Sequence, residues 1–228
     1  MNPSATPPNA NRTCWASAIG SGEFARSSMS LLQRLYLVRH GETAWSISGQ
    51  HTGRTDIPLT EKGEQDARRL ADRLHGVSFN RVFTSPLQRA RRSAELAALN
   101  RPAEIDPDLE EWNYGDYEGL RTSEIRTERP DWNIFRDGCP QGESPTQVSL
   151  RADRVIARLR NLEGDIAIFS HGHFGRVLAV RWIGLGIEQA PHFLLATASL
   201  SILGYGHKLV TEPAIILWNG LPDETFGP

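Results

Sequence analysis

The chain has 228 residues, of which 39% are hydrophobic and 23% charged, with a formal net charge of −2. That length supports one sizeable core, and no stretch approaches the run of about 20 apolar residues that a membrane-spanning helix needs. A near-neutral balance excludes any global attraction to nucleic acid or an anionic membrane, so an anion site has to be built locally. Of the 25 basic residues only Lys62 and Lys208 are lysines. The arginine surplus as a whole is explained more readily by genomic base composition than by phosphate recognition, although arginine's fork suits phosphate. Cys14 and Cys139 form neither a disulfide framework nor a metal-binding spacing, which predicts reduced thiols and a cytoplasmic protein.

Residues 1–32 are rich in Pro, Asn, Ser, Ala and Gly and lack both a basic n-region and a continuous apolar run. They read as a disordered extension and not as a secretory signal. Within them Gly20-Ser21-Gly22-Glu23-Phe24 resembles a cloning linker and Met29 a native start. The folded domain is expected over residues 33–222, with a tail at 223–228. An apolar run, Leu35-Tyr36-Leu37-Val38, predicts the first strand, followed by a long polar loop to Pro58. Thr60 is an N-cap with an acidic first turn for a helix reaching about Leu74. Arg81-Val82-Phe83 reads as a short strand, and Pro86 introduces a helix over Leu87 to Leu99. Ser144 to Leu162 is a third helix, with Val148, Ala152, Val155, Ile156 and Leu159 on one face. Ile166 to Phe169 is a strand feeding a helix from Phe174 to Ile183, and late strands are expected at Leu200-Ile202-Leu203 and Ile215 to Leu217. Strands alternating with helices predict an α/β fold: a three-layer α/β/α sandwich around a mostly parallel sheet.

Two strand ends carry chemistry. Arg39-His40-Gly41-Glu42-Thr43 follows the first strand directly, and Ser170-His171-Gly172-His173 follows the strand ending at Phe169. In open α/β sheets ligands bind outside the carboxyl ends of the parallel strands, and a glycine there lets a bulky anion approach the backbone. Taken singly, a histidine at a strand end is more often a hydrogen-bonded turn residue, and an arginine at a helix start is usually solvated. Together, two His-Gly strand ends, Arg89 in Thr84-Ser85-Pro86-Leu87-Gln88-Arg89-Ala90 and Glu111 in Glu111-Trp112-Asn113-Tyr114-Gly115 share no structural purpose, whereas all serve phosphoryl transfer. A metal site is the rival use of His40 and His171, but neither has metal-ligand spacing and the neighbouring arginines would repel a cation. No metal and no cofactor are expected.

These blocks, with Gly49-Gln50-His51-Thr52-Gly53 and Pro58 to Gly63, resemble the histidine phosphatase superfamily, which includes the cofactor-dependent phosphoglycerate mutases and many phosphatases. Trp112 to Gly119, Gly138-Cys139-Pro140-Gln141-Gly142-Glu143-Ser144 and Ser170 to Arg176 look most like its acid phosphatases and sugar bisphosphatases, including sedoheptulose-1,7-bisphosphatase. The resemblance implies a phosphoglycerate mutase-like fold. It implies His40 as the nucleophile, Arg39 and Arg89 as a phosphate clamp, His171 as a third cationic contact and Glu111 as the general acid, with Glu110 the adjacent competitor. A proton donor needs a raised pKa, which burial near Trp112 would favour. Ser46 stands where many members place an asparagine on the phosphate. His51, Thr52, Gly53 and Gly172 match the loops around the phosphate, and Arg176 and His207 match substrate-facing positions of the bisphosphatase-like subgroup. Each of these outer residues could equally be ordinary packing or surface, as could Trp112, Tyr114, Tyr117 and Trp132 as pocket walls.

Three functions compete. A mutase of this family carries an adjacent arginine pair and a lysine after the E-x-x-Y-G frame, whereas here Arg121, Arg126, Arg129 and Arg136 are scattered and no lysine lies between Lys62 and Lys208. An inert phospho-ligand-binding module would be expected to have lost one of His40, Arg89, Glu111 or His171. The expectation is therefore a metal-independent phosphomonoesterase acting on a small-molecule substrate, a sugar phosphate or bisphosphate, without nucleic-acid or membrane partners. Oligomeric state is left open, with a homodimer allowed.

Overall fold

The computed structural model describes residues 33–222, so the extension expected at 1–32 and the tail at 223–228 lie outside the described residues. Six strands form one sheet: β1 (Arg34–Arg39), β2 (Phe79–Thr84), β3 (Glu104–Ile105), β4 (Asp165–Ser170), β5 (Leu200–Tyr205) and β6 (Pro213–Gly220). Their order is β3-β2-β4-β1-β5-β6. β1, β2, β3 and β4 run parallel, and β5 is antiparallel to both of its neighbours. The pleat of β1 sets the layers. Leu35 and Leu37 join one apolar cluster and Tyr36 and Val38 the other, which is why the run shows no polar alternation.

The helices are α1 (Ala44–Ser48), α2 (Glu61–Leu74), α3 (Gln88–Leu96), α4 (Thr122–Glu128), α5 (Ile134–Asp137), α6 (Pro145–Leu159) and α7 (Gly172–Trp182). Leu70 and Leu74 of α2 and Ala94 of α3 cover the Tyr36 and Val38 face. Val148, Val155 and Leu159 of α6 and Val177 and Leu178 of α7 cover the opposite one. The three-layer α/β/α sandwich follows. Among the described residues no helix is long and apolar enough to cross a membrane.

Helix starts follow their caps. The Thr60 hydroxyl accepts the Gly63 N–H at 3.0 Å, and Ser144 forms a capping box with Gln147 ahead of Pro145. Helix ends follow the tertiary structure instead. α3 stops at Leu96 and not Leu99, because the chain turns at Ala98 (φ +47°) to bring Leu99 and Ala103 onto the sheet face. α6 likewise ends at Leu159, three residues before Leu162. α7 starts two residues earlier than its apolar spacing suggests, with His171 at its N-cap. The polar loop after β1 contains α1, whose capping box pairs Thr43 with Ser46.

Gly41 differs from its expected use. A Cβ there would lie 2.3 Å from the Gly63 carbonyl oxygen, and a Cβ on Gly63 would lie 2.2 Å from that of Glu42. The two glycines thus press the loop carrying the R-H-G triplet against the first turn of α2. Gly63→Ala should overpack this contact and cost about 1 to 3 kcal/mol. A thermal midpoint equal to that of the unsubstituted protein would remove this role for the glycine pair.

Candidate active site

The strand order concentrates the sequence motifs. β4 lies between β1 and β2, with Arg39 beside Ser170 and Thr84 beside Phe169 in register. The next residues leave the sheet together: His40 N–H donates to the Ser170 carbonyl at 3.0 Å and Ser85 N–H to the Phe169 carbonyl at 3.0 Å. His40, Ser85 and His171 therefore meet at one edge although far apart in sequence.

His40 is buried, and its Nδ1 donates to the Gly41 carbonyl at 2.7 Å, which leaves Nε2 as the lone-pair nitrogen. Burial, then the charges of Arg89 and Arg39, hold the ring well below the ordinary histidine range, so it is a neutral imidazole. The His171 ring centroid lies 5.1 Å away. His171 Nε2 bonds the Ser85 hydroxyl at 2.7 Å, and that oxygen also accepts the Leu87 N–H at 3.3 Å. With the ring proton on Nδ1 the hydroxyl donates to Nε2, and Nδ1 is a buried nitrogen without a protein partner. Burial, then Arg89, His40 and Arg39, lower His171 well below its usual range. In the ligand-free site the ring is therefore neutral.

Arg39 and Arg89 are both deeply placed, and desolvation opposes their charge while Glu111 favours it. Arg39 donates through Nη1 to the Leu195 carbonyl, and its guanidinium carbon lies 3.2 Å from where a Cβ on Gly172 would sit. Gly172 thus seats the arginine. Arg89 spends donors on the carbonyls of Thr55 (3.0 Å), Thr52 (3.0 Å) and Gly53 (2.9 Å). The Nε of each arginine, with His171 Nδ1, is a buried donor that no protein acceptor uses. Buried donors cost free energy unless bonded, so this trio is suited to an anion.

Glu111 lies on the loop facing them. Its Oε1 accepts the N–H groups of Trp112 (2.9 Å) and Phe174 (2.8 Å), and Oε2 that of His173 (3.0 Å). Two of these donors belong to the first turn of α7, which fixes the carboxyl at the cavity wall. Glu110 is not among the residues lining the cavity, whereas Glu111 is.

The cavity measures about 280 Å³ and is lined by Arg39, His40, Ser46, His51, Thr52, Glu111, Gly172 and Arg176 among the expected residues. Several of the expected residues also make structural bonds. The Ser46 hydroxyl completes the α1 capping box by accepting the Thr43 N–H at 2.9 Å, and it donates to the Thr43 carbonyl at 2.9 Å. The Gly53 N–H is consumed by Glu118 Oε1 at 2.8 Å, which also takes the Thr55 N–H at 3.0 Å, so Gly53 supports Arg89 and not the ligand. Arg176 is anchored on the carbonyls of Ala190 and Pro191 at 2.9 and 2.8 Å. His207 does not join the site. Antiparallel β5 carries it to the opposite end of the sheet, where it is exposed and bonds Glu212 at 2.8 Å. Trp112 and Tyr117 belong to the core, Tyr114 lines the cavity, and Trp132 lines an adjoining recess with Arg126.

Residues missed from sequence are His173, Thr122, Trp45 and Gln50. His173 stood inside the His-Gly-His signal; its Nδ1 bonds the Tyr114 hydroxyl at 2.6 Å. Burial lowers His51 to about 4 and lowers His173 well below its usual range. Cys139 is buried, its thiol pushed up to about 12 by burial, and Cys14 lies outside the described residues. Four imidazoles with lowered values bind fewer protons folded than unfolded. Their stabilisation is complete above the unfolded value near 6.5 and is lost as pH falls toward the folded values, at up to about 1.4 kcal/mol per pH unit for each group. The thermal midpoint should accordingly drop between pH 7 and 5.5, above the ordinary carboxylate range; a flat profile there would contradict neutral burial.

This arrangement has counterparts. The family profile described as histidine phosphatase superfamily (branch 1) matches residues 35–219. The sedoheptulose 1,7-bisphosphatase of Saccharomyces cerevisiae is 37% identical over 82% of this chain and 93% of its own length. An acid phosphatase of Mycobacterium tuberculosis is 42% identical over 83% of this chain and 94% of its own. A solved structure of a Mycobacterium tuberculosis protein superimposes with a TM-score of 0.78 at 37% identity, covering 83% of this chain and 98% of that one. The matched region includes both strand-end motifs, the Arg89 helix and the Glu111 loop, and the chain belongs to the histidine phosphatase superfamily.

Proposed function

We propose that the protein is a metal-independent phosphomonoesterase that works through a phosphohistidine on His40 and acts on small phosphorylated metabolites, sugar phosphates or bisphosphates. The observation that carries this reading is the neutral His40 ring in the field of Arg89 and Arg39, with Arg39 Nε, Arg89 Nε and His171 Nδ1 each a buried nitrogen that no protein group bonds. The two guanidiniums neutralise the phosphate dianion so that His40 Nε2 can attack phosphorus, forming the N–P bond as the ester P–O bond breaks. Glu111, ionised beside the arginines in the free site, takes up one proton as the phosphate dianion enters and passes it to the departing alkoxide. Water then attacks the phosphohistidine, giving its proton back to Glu111, and inorganic phosphate leaves with His40 restored.

Hydrolysis is favoured over phosphate return because Arg121, Arg126, Arg129 and Arg136 do not line this cavity, Arg126 reaching only the adjoining recess. Arg129 is exposed and bonds the Tyr117 hydroxyl, and Arg136 is exposed and pairs with Asp137. His51, His173, Thr122, Thr52 and Gln50 give the remaining wall many neutral hydrogen-bonding groups, which suits a polyol, and Arg176 supplies one further cation for a second anionic group. Reduced thiols in a cytoplasmic enzyme are consistent with the buried Cys139.

His40→Ala should retain the fold and abolish turnover; acid-labile phosphate trapped on another residue would move the nucleophile. Glu111→Gln should slow a sugar phosphate by about 10² to 10⁴ while affecting p-nitrophenyl phosphate far less, because a phenolate departs without a proton. Equal slowing of both esters in single turnover would transfer the donor role to another group, Glu110 first.

A further inference from the structure

The Gly138 to Ser144 motif has no part in the chemistry above, yet Glu143 makes one of the most connected pairs in the molecule. Its partner, Arg151 on α6, is only 8% exposed. Arg151 Nε and Nη2 hold the two Glu143 carboxylate oxygens at 2.9 and 2.8 Å, a bidentate fork. The remaining donors reach backbone carbonyls: Nη1 those of Asp108 at 3.0 Å and Glu110 at 2.6 Å, and Nη2 that of Glu111 at 3.3 Å. All five guanidinium N–H groups are thereby used.

Glu143 grips the same segment from the other side. Its Oε2 accepts the Asn113 N–H at 2.9 Å, its backbone N–H donates to the Asn113 carbonyl at 2.8 Å, and its carbonyl accepts the Trp112 indole N–H at 2.9 Å. Leu109, which the pair does not bond, has its carbonyl held by the Ser170 hydroxyl at 2.8 Å. Arg151 also lies over the Phe174 ring, 4.3 Å from its centroid, and the Phe174 N–H is one of the donors to Glu111. Beyond the single 3-10 turn at Pro107–Leu109, the carbonyls of Asp108, Glu110 and Glu111 and the Asn113 N–H are thus satisfied by one ion pair of buried Arg151 and half-buried Glu143.

We propose that Arg151, clamped by Glu143, is a positioning residue for the proton donor Glu111; the proposal rests on the phosphohistidine reading above. Proton transfer needs the donor within hydrogen-bond reach of the leaving oxygen, so a loosened 108–113 backbone should impair departure of a poor leaving group selectively. A lysine keeps the charge but cannot hold a carboxylate fork and three carbonyls at once.

The test is single-turnover phosphorylation of Arg151→Lys by glycerol 2-phosphate and by p-nitrophenyl phosphate, with thermal unfolding followed in parallel. The unsubstituted enzyme must first give acid-labile phosphate on His40 with both esters; without it the phosphohistidine reading fails and this proposal with it. Given that intermediate, the alkyl ester should slow by roughly 10- to 100-fold and the aryl ester by no more than about threefold. Arg151→Lys placed on Glu111→Gln should add little further loss on the alkyl ester, since both changes act through one group. Equal slowing of both esters, no slowing, or an additive double variant overturns the proposal even though the phosphohistidine forms. Should Arg151→Lys not fold, Glu143→Gln keeps the side chain's size but replaces one accepting oxygen of the fork by an amide N–H₂, and the same two rates decide the question.

Discussion

The constraint on which the site depends is the burial of two guanidiniums, those of Arg39 and Arg89, against two imidazoles. Buried cations lose hydration that only a nearby anion or good acceptors can replace. Part of the compensation comes from Glu111, whose charge favours both arginines, and part from backbone carbonyls at Leu195, Thr52, Gly53 and Thr55. Burial first, and this same positive field second, keep His40 and His171 neutral. One electrostatic arrangement therefore gives the phosphate its counter-charge and the nucleophile its lone pair.

Holding like charges together requires support from outside the site. Glu118 pins the N–H groups of Gly53 and Thr55, so the carbonyls of that loop stay turned toward Arg89. Ser93 accepts the Gly41 N–H at 3.0 Å and donates to the Arg89 carbonyl at 2.8 Å, tying the nucleophile loop to α3. These are hydrogen bonds among groups that would otherwise be buried without partners, and satisfying them fixes the geometry of the clamp. Local stability is given up at the donors left for the ligand and recovered in the packed sheet beneath, where Leu35, Leu37, Val38 and Ile168 are fully buried.

The sequence made the layered fold and the inner site legible because both depend on local grammar. Apolar runs ending in His-Gly mark strand ends, and Thr60 and Ser144 mark helix starts through their own side chains. What escaped depends on long-range geometry. The short helices α4 and α5 have too few residues for a periodic signal, and α1 was hidden inside a loop although Thr43 and Ser46 had capping spacing. The roles of Gly41 and Gly53 were misread because a glycine signals close approach without saying what approaches. His207 was placed in the site by resemblance alone, whereas the direction of β5 puts it at the far end of the sheet.

The two sides of the reaction are held by different kinds of structure. His40 and His171 leave the ends of adjacent parallel strands whose backbone ladders are complete, so their separation is set by the sheet. Glu111 has no such ladder, and its carboxyl must still meet the leaving oxygen across the cavity. Its precision comes from above and below: three backbone N–H donors on the carboxyl, and buried Arg151, clamped by half-buried Glu143, on the backbone that carries it. A loop so anchored retains the open approach that a regular strand would block, and it gains the fixed geometry that a free loop would lack.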